Sequence, residues 1–245
     1  MKFQTIGNPN DSLIIMLPGS FCPSSGLNYL YEKLKDDYCI VLVEYNGHYG
    51  NSTFSSRQNE AKGIVEYIQK QNIHTIKMIY GQSMGAEIAI ELFKQLEKTN
   101  ISVEYCFLDG TPCIKLPYLY KKFMYFKFNQ ILKMMKKTDV DQILNMKLIK
   151  KIARGNIENL RPMIEPMAVT AQFLSKESVK NETECCYTFD FPLFDKEAQN
   201  KMYFFYGKEE KAYKTCYRGV KKAYPQSNSI FKEGDGHLMY FNVFY

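Results

Sequence analysis

The feature that most constrains this chain is a rhythm. Over its first 110 residues, short apolar runs alternate with segments of helical period. Residues 13–17 form one such run, stopped by Pro18-Gly19, and residues 38–44, 75–80 and 103–109 form three more. Runs this short, rich in β-branched or aromatic residues and bounded by turn residues, predict buried strands. Between the second and third, Ala61, Ile64, Val65 and Ile68 fall at i, i+3, i+4 and i+7. After the third, Ile88, Leu92, Phe93 and Leu96 make a second helical stripe. Strand alternating with helix predicts an α/β fold: a mainly parallel, doubly wound sheet covered on both faces.

The rhythm breaks after Asp109. From Pro117 to about Lys180 the pattern is helical throughout, with Phe, Met and Leu mixed among lysines. Thr138 or Asp139 is placed to cap a helix running towards Arg154, and Pro162 and Pro166 are expected to divide the segment that follows. Strand character returns at residues 201–206, stopped by Gly207. A helix with Ala212, Tyr213, Cys216, Tyr217 and Val220 on one side comes next, then a short strand around Ser229-Ile230-Phe231. The chain therefore divides into a core of residues 1–111 and 196–245 and an inserted, all-helical cap of residues 112–195. There is no internal repeat.

Composition excludes several classes. At 245 residues, 45% hydrophobic and 24% charged, the chain is neither disordered nor a small disulfide scaffold. No apolar run reaches the roughly 18 residues that span a bilayer, and the first residues lack a signal-peptide pattern. A cytosolic address is expected. Seven cysteines without a CxxC pair, and only three histidines, leave no pattern for a metal or redox centre, and no cofactor is expected. Neither a phosphate loop, nor a dinucleotide fingerprint, nor a nucleic-acid module is present. The charge is uneven. Residues 111–180 hold 14 basic against 5 acidic side chains, so this segment carries +9 of the overall +6 and the remainder carries −3. Such an excess fits an anionic surface or ligand, or equally the solvated face of lysine-rich helices.

The sharpest local signal is Gly81-Gln82-Ser83-Met84-Gly85, a G-x-S-x-G segment between a predicted strand and a predicted helix. The turn from strand to helix has to be very tight, and glycines two residues either side keep side chains out of the crowded backbone. The serine oxygen then stands clear of the sheet. The helix beginning beside it brings unpaired amides and the positive end of its dipole to the same place.

With this context the chain resembles the α/β-hydrolase superfamily over nearly all of its length except the insertion. Leu17-Pro18-Gly19-Ser20-Phe21 resembles the oxyanion-loop segment after the first core strand, with Pro18 where the family usually has histidine. The segment from Glu44 to Ser52 is similar to the family's D-x-x-G-H-G-x-S turn with one extra residue. Gly207-Lys208-Glu209-Glu210 resembles the segment that carries the triad acid, and Gly236-His237 the one that carries the catalytic histidine. The insertion sits where many relatives carry a helical cap.

The resemblance implies a Ser83-Glu210-His237 triad. A serine is a poor nucleophile without a base, and His237, in a glycine-rich loop after the last predicted strand, is the strongest candidate. His48 is expected to hold loop geometry or touch substrate, and His74 to lie on a surface loop. The acid that orients the imidazole is Glu210 by position, with Glu209 and then Asp235 as competitors. The oxyanion hole would use the backbone N–H groups of Ser20 and Met84. These residues point to cleavage of a small carboxylic ester through an acyl-enzyme. An acyl thioesterase is the alternative enzyme, and a non-catalytic ligand-binding protein the alternative of another class. The rings and methionines between Tyr118 and Met135 are expected to line an acyl pocket or to pack the cap.

Overall fold

The computed structural model describes residues 1–146, 161–208 and 213–233. Among these residues a seven-stranded sheet has the order β1-β3-β2-β4-β5-β6-β7. Its strands are β1 Lys2–Ile6, β2 Leu13–Leu17, β3 Cys39–Glu44, β4 Thr75–Gln82, β5 Ser102–Asp109, β6 Met202–Gly207 and β7 Asn228–Lys232. Every neighbouring pair is parallel except β1 with β3. The expected mainly parallel sheet with an inserted helical cap is therefore the fold.

The sheet is covered on both faces, which is why β2 and β3 are apolar at nearly every position rather than at alternate ones. On one face Ile15, Leu17, Val41, Val43 and Ile79 pack with the helices α2 (Arg57–Lys70) and α3 (Met84–Leu96). On the other, Ile14, Met16, Ile40, Leu42 and Tyr80 meet Leu27 and the short helix α1 (Asn28–Tyr31). The stripes read from the sequence are the buried faces: Ala61, Ile64 and Ile68 in α2, and Ile88, Leu92, Phe93 and Leu96 in α3.

The strand β1 has no counterpart in the sequence pattern. It is a half-exposed edge strand whose burial does not alternate, so hydrogen bonding to β3 defines it rather than hydrophobicity. Its Phe3 stacks on Tyr67 of α2, ring centres 3.8 Å apart.

Among the described residues the insertion contains α4 (Tyr118–Met135), α5 (Val140–Leu144), α6 (Arg161–Ala171) and α7 (Lys176–Tyr187), followed by the short α8 (Lys196–Asn200) before β6. It has its own core of Leu132, Met135, Ile143, Leu144, Ile164, Ala171, Leu174 and Val179, and one residue of the sheet domain, Phe21, belongs to it. Asp139 caps α5 by accepting from the Asp141 amide. The helix stops at Leu144, and the expected continuation to Arg154 falls outside the described residues. Pro166 does not divide the next segment as expected: α6 runs through it. Pro166 removes only one helical hydrogen bond, so the helix continues past it. The helix α9 (Tyr213–Ala223) buries Cys216 and Val220 against the sheet as read, with Ala212 outside the described residues.

Candidate active site

Ser83 joins β4 directly to α3, with no loop between them. Its backbone sits at φ 52°, ψ −115°, a left-handed conformation that a non-glycine residue adopts only at a cost of order 1–3 kcal/mol. The surroundings hold it there. The Ser83 amide donates to the Asp109 carbonyl at the end of β5 (2.7 Å). A side chain at Gly81 would lie 2.5 Å from the Gly85 carbonyl oxygen, and one at Gly85 would overlap the carbonyl oxygens of Leu17 and Pro18. The two glycines thus let the first turn of α3 rest on the end of β2. This contact brings the loop after β2 to the serine: a Cβ built on Gly19 would be 3.6 Å from the Ser83 Cβ. The Met84 amide belongs to the first turn of α3, where amides lack helical partners.

The loop of residues 18–24 begins at Pro18, and groups from elsewhere hold it. The Tyr45 hydroxyl donates to the Pro18 carbonyl (3.1 Å). The Ser20 hydroxyl is 3.0 Å from the Cys186 sulfur on α7. Phe21, at φ 59°, donates its amide to Glu182 Oε2 (2.8 Å), and its ring meets Phe128 of α4 edge to face. Glu44 Oε2 accepts from both the amide and the hydroxyl of Ser24 (2.9 Å each). His48 closes the network, with Nε2 2.9 Å from Glu182 Oε1 and Nδ1 3.5 Å from Glu44 Oε1. Both His48 and Glu182 are buried.

Glu182 was not found from the sequence. The one signal it leaves is its position: with Val179, Thr183 and Cys186 it falls on the i, i+3, i+4, i+7 stripe that α7 turns inwards. His48 holds loop geometry, as its position after β3 implied, and bridges the core to the insertion.

Burial disfavours a charge on His48, but the carboxylates of Glu182 and Glu44 outweigh it and raise the ring from 6.5 to about 10. A raised folded-state value adds stability that is complete below about 6.5 and is lost as the pH climbs through about 10. A His48→Gln variant should therefore be less stable than wild type at mildly acidic pH, with the gap narrowing steadily towards pH 10. Thermal melts across that range check this; a constant gap would contradict it.

A second buried polar cluster ties the insertion to α2 and α3. The Arg57 guanidinium donates to the Cys185 carbonyl (2.5 Å) and lies 3.9 Å from Glu87, whose other oxygen accepts from the Cys113 amide (3.0 Å). Burial pushes the Glu87 carboxyl up to about 8 despite Arg57.

Glu209, Glu210, Asp235 and His237 lie outside the described residues. The strands that lead to them are described. β6 ends at Gly207 and β7 at Lys232, which pair with each other, and the Gly110 amide after β5 donates to Phe205 of β6. The ends of β4, β5, β6 and β7 thus form one continuous carboxyl edge, with Ser83 on it. His74, before β4, is at the opposite edge, where it lines a cavity of about 480 Å³ with Thr5, Ser12 and Gln71. That cavity is remote from Ser83, and ligands of open α/β sheets bind at the carboxyl edge. Among the described residues no helix is long and apolar enough to cross a membrane.

No protein-family model matches this sequence, and no curated protein matches it significantly. Solved structures do. An α/β-hydrolase family protein from Desulfitobacterium hafniense superposes with a TM-score of 0.74 at 17% identity, over 99% of this chain and 94% of that one. An esterase from a marine microorganism gives 0.66 at 17% identity, over 96% and 92%. MenH from S. aureus gives 0.68 at 14% identity, over 98% and 92%. The chain has the α/β-hydrolase fold. At these identities the likeness concerns architecture alone, and within it Ser83 stands at the strand-to-helix turn after the sheet's central strand.

Proposed function

We propose that this protein is a serine hydrolase that cleaves a carboxylic ester through an acyl-enzyme, using Ser83, His237 and Glu210. The observation that carries this reading is the strained backbone of Ser83, fixed between β4 and α3 with the Gly19-Ser20 loop against it. Strain of this kind persists only where the surroundings impose it, and here it sets the serine at the sheet edge, between the first turn of α3 and the Gly19-Ser20 loop. The core comprises residues 1–111 and 196–245 and the cap residues 112–195.

In this reading His237 takes the Ser83 proton as the oxygen attacks the acyl carbon, and later returns it to the leaving alcohol. Glu210 accepts from the imidazole, fixing its tautomer and stabilising the positive charge that forms. The amides of Ser20 and Met84 donate to the oxyanion. Water, activated by the same histidine, then releases the acid. Glu182 is a positioning residue: it fixes the Phe21 amide, and so the orientation of the neighbouring Ser20 peptide.

A panel of p-nitrophenyl esters and acyl thioesters tests the reading together with a Glu210→Gln variant. Wild type should turn over esters. The variant should lose about 10³–10⁴-fold in kcat with little change in KM, because the acid acts on charge formed during reaction. A variant with wild-type kcat would pass the role to Glu209 or Asp235. Thioesters cleaved to the exclusion of esters would favour the thioesterase alternative, and no turnover of either would favour ligand binding.

A further inference from the structure

The helix α4 is apolar on two sides. Its inner side packs into the insertion, where Leu132 and Met135 are buried and Tyr125 and Phe128 join the same core. Its outer side repeats Leu119, Phe123 and Phe126 at i, i+4 and i+7, and these are 75%, 57% and 59% exposed. Tyr118 and Tyr120, beside them, are 70% and 64% exposed. Single apolar residues on a surface need no explanation, but five large ones on adjoining turns of one helix form a patch, and such patches mark interaction sites.

The charges on the helix say what the patch meets. Residues 118–135 contain four lysines and no carboxylate. Lys121 is engaged by Glu184 (2.7 Å). Lys122, Lys127 and Lys133 are exposed, and among the described residues none of them has a carboxylate within ion-pair distance. The Lys127 ammonium folds over the Phe123 ring, 5.4 Å from its centre, so apolar and cationic groups share one surface. A second copy meeting this face about a two-fold axis would set lysines against lysines, which disfavours a dimer here. The patch is a convex helix ridge of Leu, Phe and Tyr fringed by Lys. This is the pattern of a helix lying at a bilayer surface, with rings at the headgroup level and ammonium groups on anionic lipid.

We propose that the outer face of α4 docks this protein on an anionic membrane surface, Leu119, Phe123 and Phe126 entering the interface and Lys122, Lys127 and Lys133 meeting lipid phosphates. The docking is peripheral and reversible, and it stands independently of the catalytic reading.

Flotation of the full-length protein with vesicles tests it. Binding should be at least about tenfold stronger to phosphatidylcholine mixed with phosphatidylglycerol than to phosphatidylcholine alone, and should fall steeply with added salt. Two double variants, Phe123→Ser with Phe126→Ser and Lys122→Glu with Lys127→Glu, should each lose that binding at least tenfold while keeping the wild-type Tm. No binding to the anionic vesicles, or binding that both variants retain, would overturn the proposal. So would sedimentation showing that these residues instead hold a dimer or an acidic protein.

Discussion

Replacing Ser83 by alanine is expected to abolish labelling by a fluorophosphonate and to lower ester turnover by about 10⁴-fold or more, because the proposed nucleophile is removed. The fold should survive. The Ser83 amide, which donates to Asp109, and the left-handed backbone do not depend on the hydroxyl. A glycine at the same position gives a sharper control. It should be as inactive as alanine yet more stable by about 1 kcal/mol, since φ 52° costs glycine little. Full labelling of the alanine variant would dismiss Ser83 as the nucleophile. Equal stability of the two variants would mean that the turn is not strained.

The second large effect is expected at Glu182. Removing its side chain in Glu182→Ala strips the charge partner from buried His48 and the acceptor from the Phe21 amide in one step. Breaking a buried ion pair from one side costs about 3–5 kcal/mol. For a chain of this size that corresponds to a drop in Tm of roughly 6–20 °C. Turnover should fall as well, because fixing the Ser20–Phe21 peptide constrains the adjoining Gly19–Ser20 peptide, whose amide is the proposed oxyanion donor. Glu182→Gln keeps an acceptor for the amide while losing the charge, so it should retain more kcat than stability relative to alanine. A Glu182→Ala protein with wild-type Tm and wild-type kcat would show that the loop is held by other means.

How legible these features were in the sequence depends on what kind of interaction makes them. The strands β2 and β3 were readable as dense apolar runs because they are buried on both faces, and β4 and β5 as short runs rich in β-branched and aromatic residues whose carboxyl halves are largely buried. Ser83 was readable because Gly81 and Gly85 are demanded by close backbone approach, a local and unforgiving constraint. The edge strand β1 was not, since its residues are half exposed and its defining feature is main-chain pairing to a strand far along the chain. Glu182 was not, because its partners Phe21 and His48 are more than 130 residues away and nothing in its neighbourhood announces them. In α6 Pro166 pointed to a break, yet the helix runs through it, with the Thr170 hydroxyl donating to the Pro166 carbonyl. The rings of α4 divided between two roles, and only the fold could say that Leu132 packs inwards while Leu119 faces outwards.

The measurement closest to the central claim is mass spectrometry of enzyme quenched in acid during turnover of an activated ester. Tryptic cleavage after Lys77 and Lys94 isolates residues 78–94, which contain Ser83. The expected result is the mass of one acyl group on that peptide, located at Ser83, present in wild type and absent from Ser83→Ala. Acyl mass on a different peptide, or steady turnover that persists in Ser83→Ala, would contradict it.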